Sequence, residues 1–297
     1  MDQSLVDYFE QTNPALADLF RDLYGRTVYY VPNPGNGGDC LIAAAAYQLF
    51  RHYKISIELL HSPDEVKKLS GEFVFLAGGG NLVPMYQGVA TMFRALIGRN
   101  NRVVLLPHSV RGNEELLALM EPGTLLFCRE LASLAHVTQH VTAATVHLGH
   151  DLALYLDQEE LHATPGLQEA AEPEFVERLM DKAKLTKAAI EGKRMSCIRG
   201  GVESTFRPKG PNYDISIVFQ TGIIPGRAEA GSWMMLEFTR LAAHITTNRL
   251  HVGVASALTG TPTTLYDNSY GKVSGIYSHS MRERYPHVQF LEGDGPA

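Results

Sequence analysis

Apolar runs of four to six residues recur along the chain and alternate with longer stretches of helical periodicity. Residues 27–31, 55–60, 73–77, 103–107, 124–128 and 145–148 are short, largely apolar and bounded by turn residues, as expected of strands buried on both faces. Between them, residues 39–53, 85–97 and 130–140 predict helices. Strands and helices in alternation imply βαβ units and a parallel sheet covered on both faces: an α/β fold.

Residues 157–173 interrupt the pattern with a polar stretch containing Thr164, Pro165, Gly166 and Pro173, which predicts a linker. A helix over 174–190 follows, then apolar runs at 194–199 and 215–219, a helix near 232–244, a strand at 244–247, a helix at 250–258 and a strand at 263–266. Two Rossmann-like domains, 1–165 and 174–297, facing a central cleft are therefore expected. Ligands of such sheets sit at the carboxyl ends of the strands.

Composition narrows the function. With 45% hydrophobic and 20% charged residues the chain is an ordinary globular one, and a net charge of −6 disfavours nucleic acid as a partner. Cys40, Cys128 and Cys197 are odd in number, far apart and set among apolar residues, so they read as core thiols in a reducing compartment. Residues 1–20 lack the positive start of a signal peptide, and no run approaches the ~18 apolar residues of a membrane span, so a cytoplasmic location is expected.

The chemistry-bearing residues cluster at strand ends. Asn36-Gly37-Gly38-Asp39 links the first strand to a helix, either as a loop that approaches an anion or as a tight turn capped by Asp39. Gly78-Gly79-Gly80-Asn81 follows another strand and suggests close backbone approach. His108 and Ser109 end a strand, where the imidazole could move a proton, place a sugar hydroxyl or lie idle on the surface. Arg129 is a cleft cation or a partner for Glu130. Arg199 and Glu203 flank Gly200 and Gly201, a setting in which a guanidinium can clamp phosphate or carboxylate.

The densest group is Thr247-Asn248-Arg249-Leu250-His251 with Asp267-Asn268-Ser269-Tyr270-Gly271-Lys272. If Thr247 or Asn248 caps the helix, Arg249 lies at its positive end, where a cation implies a bound anion. Arg249, His251 and Lys272 together suit a small, doubly anionic substrate. His147, His150 and Asp151 make only a partial metal site, cleft-lining or structural by default, and no metal is expected.

Taken in order, Asn36 to Asp39, Gly78 to Asn81, Leu106 to Ser109, Arg129-Glu130 with Ser133, Asp151 to Leu154, Arg199 with Glu203, Arg249 to His251 and Asp267 to Lys272 resemble the polysaccharide pyruvyl transferase family over most of the chain. The resemblance implies a fold like the GT-B glycosyltransferases, with an acceptor-side first domain, a donor-side second domain and a last helix packing back on the first. It implies transfer of pyruvate from phosphoenolpyruvate to a sugar of a surface polysaccharide or its lipid-linked precursor, forming a ketal, with no cofactor. In that frame Arg249, Lys272, Arg199, Arg129 and Asn268 bind the donor, and His251, Asp39 and His108 are the catalytic candidates. Asn36, Gly37, Asn81, Ser109, Asp151 and Glu203 serve the acceptor or shape loops. Nine Lys/Arg against three Asp/Glu over residues 178–209 form a solvated face or a contact with the membrane surface. A nucleotide-sugar glycosyltransferase and a non-catalytic sugar-binding protein are the alternatives.

Overall fold

A computed structural model describes residues 1–293. Two compact units emerge: Met1–Asn33 with Ala45–Tyr155, and Pro34–Ala44 with the chain from Leu156 onward. The second differs from the expected 174–297 because residues 157–173 are not a linker. Asp157 accepts from the Glu160 N–H at 3.0 Å and caps a helix, Gln158–His162. Gln158 then donates to the Leu258 carbonyl at 2.6 Å. Gly166, at φ 73°, opens a second helix, Leu167–Arg178, whose Leu167, Ala171 and Phe175 are buried at four-residue spacing, with Pro173 accommodated inside.

The first unit holds seven strands: β1 (Thr27–Val31), β2 (Ser56–Leu59), β3 (Phe73–Leu76), β4 (Gly79–Leu82), β5 (Arg102–Val110), β6 (Leu125–Cys128) and β7 (Thr145–Leu148). Their order is β2-β1-β3-β5-β6-β7, with β4 also on β5, and every pairing is parallel. Strand β5 is longer than its apolar run predicts, because β3 pairs its first half up to Leu105 and β4 takes over at His108. Pro107 has no N–H to donate, and the β5–β6 register shifts between Leu105 and His108. The glycine run lets the chain step from β3 to β4: a methyl group on Gly79 would lie 2.7 Å from Asn33 Nδ2 and 3.3 Å from His108 Cε1.

Helices Gln3–Thr12 and Pro14–Asp22 were not anticipated from the apolar runs, yet they bury Val6, Phe9, Leu16, Ala17 and Phe20. Phe9 and Phe20 stack at 5.9 Å, and Phe20 meets Phe50 and Phe75 at 5.4 and 6.0 Å. Burial of each such ring contributes about 2 kcal/mol.

The second unit holds β8 (Arg194–Cys197), β9 (His244–Thr247), β10 (Thr263–Leu265) and β11 (Val288–Phe290), all parallel, in the order β11-β10-β9-β8. Helices Arg227–Leu241 and Leu250–Thr259 belong to this unit, and the second packs tightly enough that a methyl on Gly253 would sit 2.5 Å from Leu265 Cδ2. The apolar run 215–219 is a one-turn helix, Ile215–Val218. Among the described residues no helix is long and apolar enough to cross a membrane. All three cysteines are buried free thiols, and burial pushes Cys128 up to about 12, so it stays protonated.

Two half-buried histidines make stability depend on pH. His147 stacks on Phe127 at 5.1 Å, and burial lowers its pKa. Burial, and secondarily the Arg194 charge, lowers that of His244, whose Nδ1 has no hydrogen-bond partner. Folding then favours neutral rings, so their contribution is complete above the unfolded value near 6.5 and is lost as pH falls through the lower folded values. The midpoint of thermal unfolding should fall between pH 7.5 and 5.5, and replacing both rings by Gln should flatten that slope.

Candidate active site

The residues expected to handle an anion, Arg129 excepted, lie in the second unit, where β8, β9 and β10 end. Thr247 fixes the geometry. Its hydroxyl donates to the Cys197 carbonyl at 2.6 Å and accepts the Arg249 N–H at 2.9 Å. The helix begins at Leu250, so Arg249 is its N-cap residue rather than part of its first turn. The anion that its position implied is a carboxylate of the protein. Arg249 Nε and Nη2 meet Asp214 Oδ1 and Oδ2 at 2.9 and 2.5 Å.

Asp214 did not stand out in the sequence, although it directly precedes the apolar run 215–219. Its side chain caps nothing. Asn212 explains its position: it accepts from Ile198 N at 2.7 Å and donates to Ile198 O at 2.8 Å, while Tyr213 N donates to Ser196 O at 2.9 Å. These bonds lay residues 212–213 along the edge strand β8 and deliver Asp214 to its end.

Glu203 is the second hub, 3% exposed. Its Oε2 accepts from Lys272 Nζ and Asn268 Nδ2 at 3.1 Å each, and it is ion-paired with Arg199. Arg199 Nε is buried without a hydrogen-bond partner. Asn248 holds this loop from below, accepting the Arg199 N–H at 2.8 Å and donating to Ser204 Oγ at 3.2 Å. Asp267 accepts from Asn268 N, Val273 N and Ser274 N at 2.9, 3.1 and 3.3 Å, and so starts the helix Lys272–Ile276 that carries the lysine.

Residues 36–39 join this unit. Asn36 Oδ1 accepts from Gly38 N and Asp39 Oδ2 accepts from Asn36 N, both at 2.8 Å, a reciprocal cap on the helix Gly37–His52. The capped-turn alternative is therefore the local structure. The glycines bring neighbours close. A methyl on Gly37 would stand 3.1 Å from Met235 Sδ, and one on Gly38 would stand 2.5 Å from His251 Nδ1. His251 thus lies against the capped turn, two residues beyond the cation-bearing position. In Gly38→Ala the added methyl must displace that ring, so turnover should fall at least tenfold while the unfolding midpoint moves little; both are read by steady-state kinetics beside thermal denaturation.

The remaining candidates lie in the first unit, and of them His108, Ser109, Arg129 and Asp151 are closed to solvent, whereas Asn81 is partly exposed. His108 is 0% exposed; its Nε2 faces Asn81 N and Leu82 N at 3.2 Å each and its Nδ1 the Ala77 carbonyl at 3.3 Å, so the ring holds β4 in place instead of lying on the surface. Asn81 and Asn33 exchange side-chain hydrogen bonds at 2.7 and 3.2 Å. Arg129, 1% exposed, donates from Nε to Ser109 Oγ at 2.9 Å and from Nη1 to Asp151 Oδ2 at 2.5 Å. Its charge is spent on Asp151, not on Glu130, which caps the helix Leu131–His140 and pairs with Arg111. Asp151 holds Arg129, and His150 pairs with Tyr8, so the partial metal site of 147–151 does not assemble.

Guanidinium, ammonium and imidazole groups thus stand at the strand ends of a parallel α/β sheet, the cations paired with Asp214 and Glu203. The model of one family, described as polysaccharide pyruvyl transferase, matches residues 36–270, and the chain belongs to that family. It is similar to "Putative pyruvyl transferase EpsO" of Bacillus subtilis strain 168, 24% identical over 296 residues that cover 88% of this chain and 86% of that one. The fold matches the crystal structure of a functionally uncharacterized protein, KP1_0663, from Klebsiella pneumoniae subsp. pneumoniae NTUH-K2044. The TM-score is 0.70 at 24% identity, with 99% of this chain and 100% of the other covered.

Proposed function

We propose that the protein transfers pyruvate from phosphoenolpyruvate to two hydroxyls of a sugar, forming a ketal and releasing phosphate. The observation that carries this reading is the gathering of Arg249, Arg199 and Lys272 at the strand ends of one sheet, with His251 set against the turn 36–39. In the reaction, enol C3 gains a proton, C2 forms bonds to two sugar oxygens, and the C2–O bond to phosphate breaks. Of the two hydroxyl protons released, one balances C3 and the other leaves on phosphate. Fixed cations stabilise the departing phosphate and hold the carboxylate without reorganising. His251 is the proton donor to C3 in this scheme. Glu203 and Asp214 keep the cations in place before the donor arrives, and the phosphate and carboxylate of phosphoenolpyruvate compete for the same N–H groups. The buried Arg199 Nε is one such group left without a partner.

Asp39, with Asn36 and Gly37, orients the acceptor hydroxyls through the capped turn. Asn81, with His108 and Ser109 behind it, shapes an acceptor loop in the first unit, and Arg129 and Asp151 support it from the core. The acceptor in this reading is a surface-polysaccharide unit on a lipid carrier. Exposed Lys182, Lys184, Lys193, Arg194, Arg207 and Lys209 offer a basic face to the carrier phosphates and an anionic membrane. The test is incubation with phosphoenolpyruvate and a panel of glycosides while phosphate release is followed, with thermal unfolding as a second readout. Protection by phosphoenolpyruvate and acceptor-dependent phosphate release are expected; protection by a nucleoside diphosphate instead would transfer the assignment to a nucleotide-sugar glycosyltransferase.

A further inference from the structure

We propose that Glu114, His136 and His140 form a site for a divalent cation of the zinc class on the first unit. One ligand atom from each residue can be chosen so that all three lie within 4.8 Å of one another, and they are the one such grouping among the described residues. A zinc ion with bonds near 2.1 Å holds tetrahedral ligands about 3.4 Å apart, so the three must close on it by side-chain rotation. Glu114 is half-exposed and free to make it.

Local structure sets up the trio. His136 and His140 are four residues apart on the helix Leu131–His140 and so share a face, their rings 4.8 Å apart and tilted by 56°. Gly112 and Asn113, both left-handed at φ 58° and 60°, turn the chain after β5 so that Glu114 opens the next helix, Glu114–Ala118. The same turn points the Gly112 carbonyl at His136 Nε2, 2.8 Å away. That bond puts the ring proton on Nε2 and leaves Nδ1 as the lone-pair donor, the outer-shell arrangement that fixes the tautomer of metal-bound histidines.

Ion pairing alone does not account for the group. Glu114 Oε1 is 4.0 Å from a His136 nitrogen already given to a carbonyl, and two protonated rings this close would repel. Two imidazoles and a carboxylate suit zinc, cobalt or nickel better than magnesium or calcium. Three protein ligands leave a position for water. Bound there, the ion pins the helix Leu131–His140 to the turn 112–114, beside the Arg111, Glu130 and Ser133 network in which Arg111 Nη1 donates at 3.1 and 2.8 Å.

The experiment uses the full chain, free of any affinity tag and stripped with a chelator. Zinc chloride is titrated against a chromophoric competitor, and thermal unfolding is followed in parallel. One equivalent per chain and a rise of a few degrees in the unfolding midpoint are expected. His140→Ala and, separately, Glu114→Gln should weaken binding by at least about tenfold and abolish the rise. Glu114 is exposed, so its variant folds irrespective of the metal. Absence of a bound equivalent in the unsubstituted chain, or unchanged affinity in both variants, would overturn the proposal.

Discussion

His251→Asn is expected to lower kcat by about 10²- to 10⁴-fold, the range associated with a positioned general acid. Asparagine keeps the size and a hydrogen-bonding edge of the ring but has no proton to give near neutral pH. The ring sits where a methyl on Gly38 would approach within 2.5 Å of Nδ1, so the helix start and the histidine share one fixed geometry. In the proposed scheme donor binding rests on Arg249, Arg199 and Lys272, none of which the substitution replaces. Phosphoenolpyruvate should therefore still raise the unfolding midpoint while phosphate release all but stops. Turnover within tenfold of the unsubstituted protein would remove His251 from the chemistry.

Asp151→Leu should be the most damaging change for stability. Both members of the Arg129–Asp151 pair are 1% exposed, and the carboxylate also accepts the Ala153 N–H at 2.9 Å. Stripping one partner leaves a guanidinium buried beside Ser109 alone, which costs about 3–5 kcal/mol. That is a large share of the ~5–15 kcal/mol by which domains are usually stable. Urea unfolding should show the loss, and adding Arg129→Met to Asp151→Leu should recover much of it. A double variant no better than the single one would mean that the hydroxyl and backbone contacts, not the charge, carry the stability.

Nine of the eleven strands and most of the large helices were legible where a run is buried on both faces or keeps a helical period, whereas β11 lies beyond the last expected strand and β4 has no apolar pattern at all. Gly79 to Leu82 is a strand only because β5 extends past Pro107 to meet it. Residues 157–173 misled because composition marks a linker while Asp157, Gln158 and Leu167 act through caps and contacts remote in sequence. The cations at strand ends were visible as types at positions. Their counter-charges were not equally so: Glu203 lies four residues from Arg199, whereas Asp214 is 35 residues from Arg249 and is brought there by Asn212. Glu114 and the histidine pair escaped for the same reason, since only the pair has a readable spacing.

Because residues 34–44 belong with the chain from Leu156 onward, while the helix they begin runs to His52, neither unit is a continuous piece of polypeptide. A gene fragment cut at residue 156 would encode the sheet that carries Arg249, His251 and Lys272 without the turn that abuts His251. If the second unit binds the donor as proposed, its specificity is not exchanged between relatives as a C-terminal cassette alone; a working chimera carries the short 34–44 segment with it. On the ribosome, too, the second unit waits with its first eleven residues already made until the last strand emerges, so its completion is tied to synthesis of the whole chain.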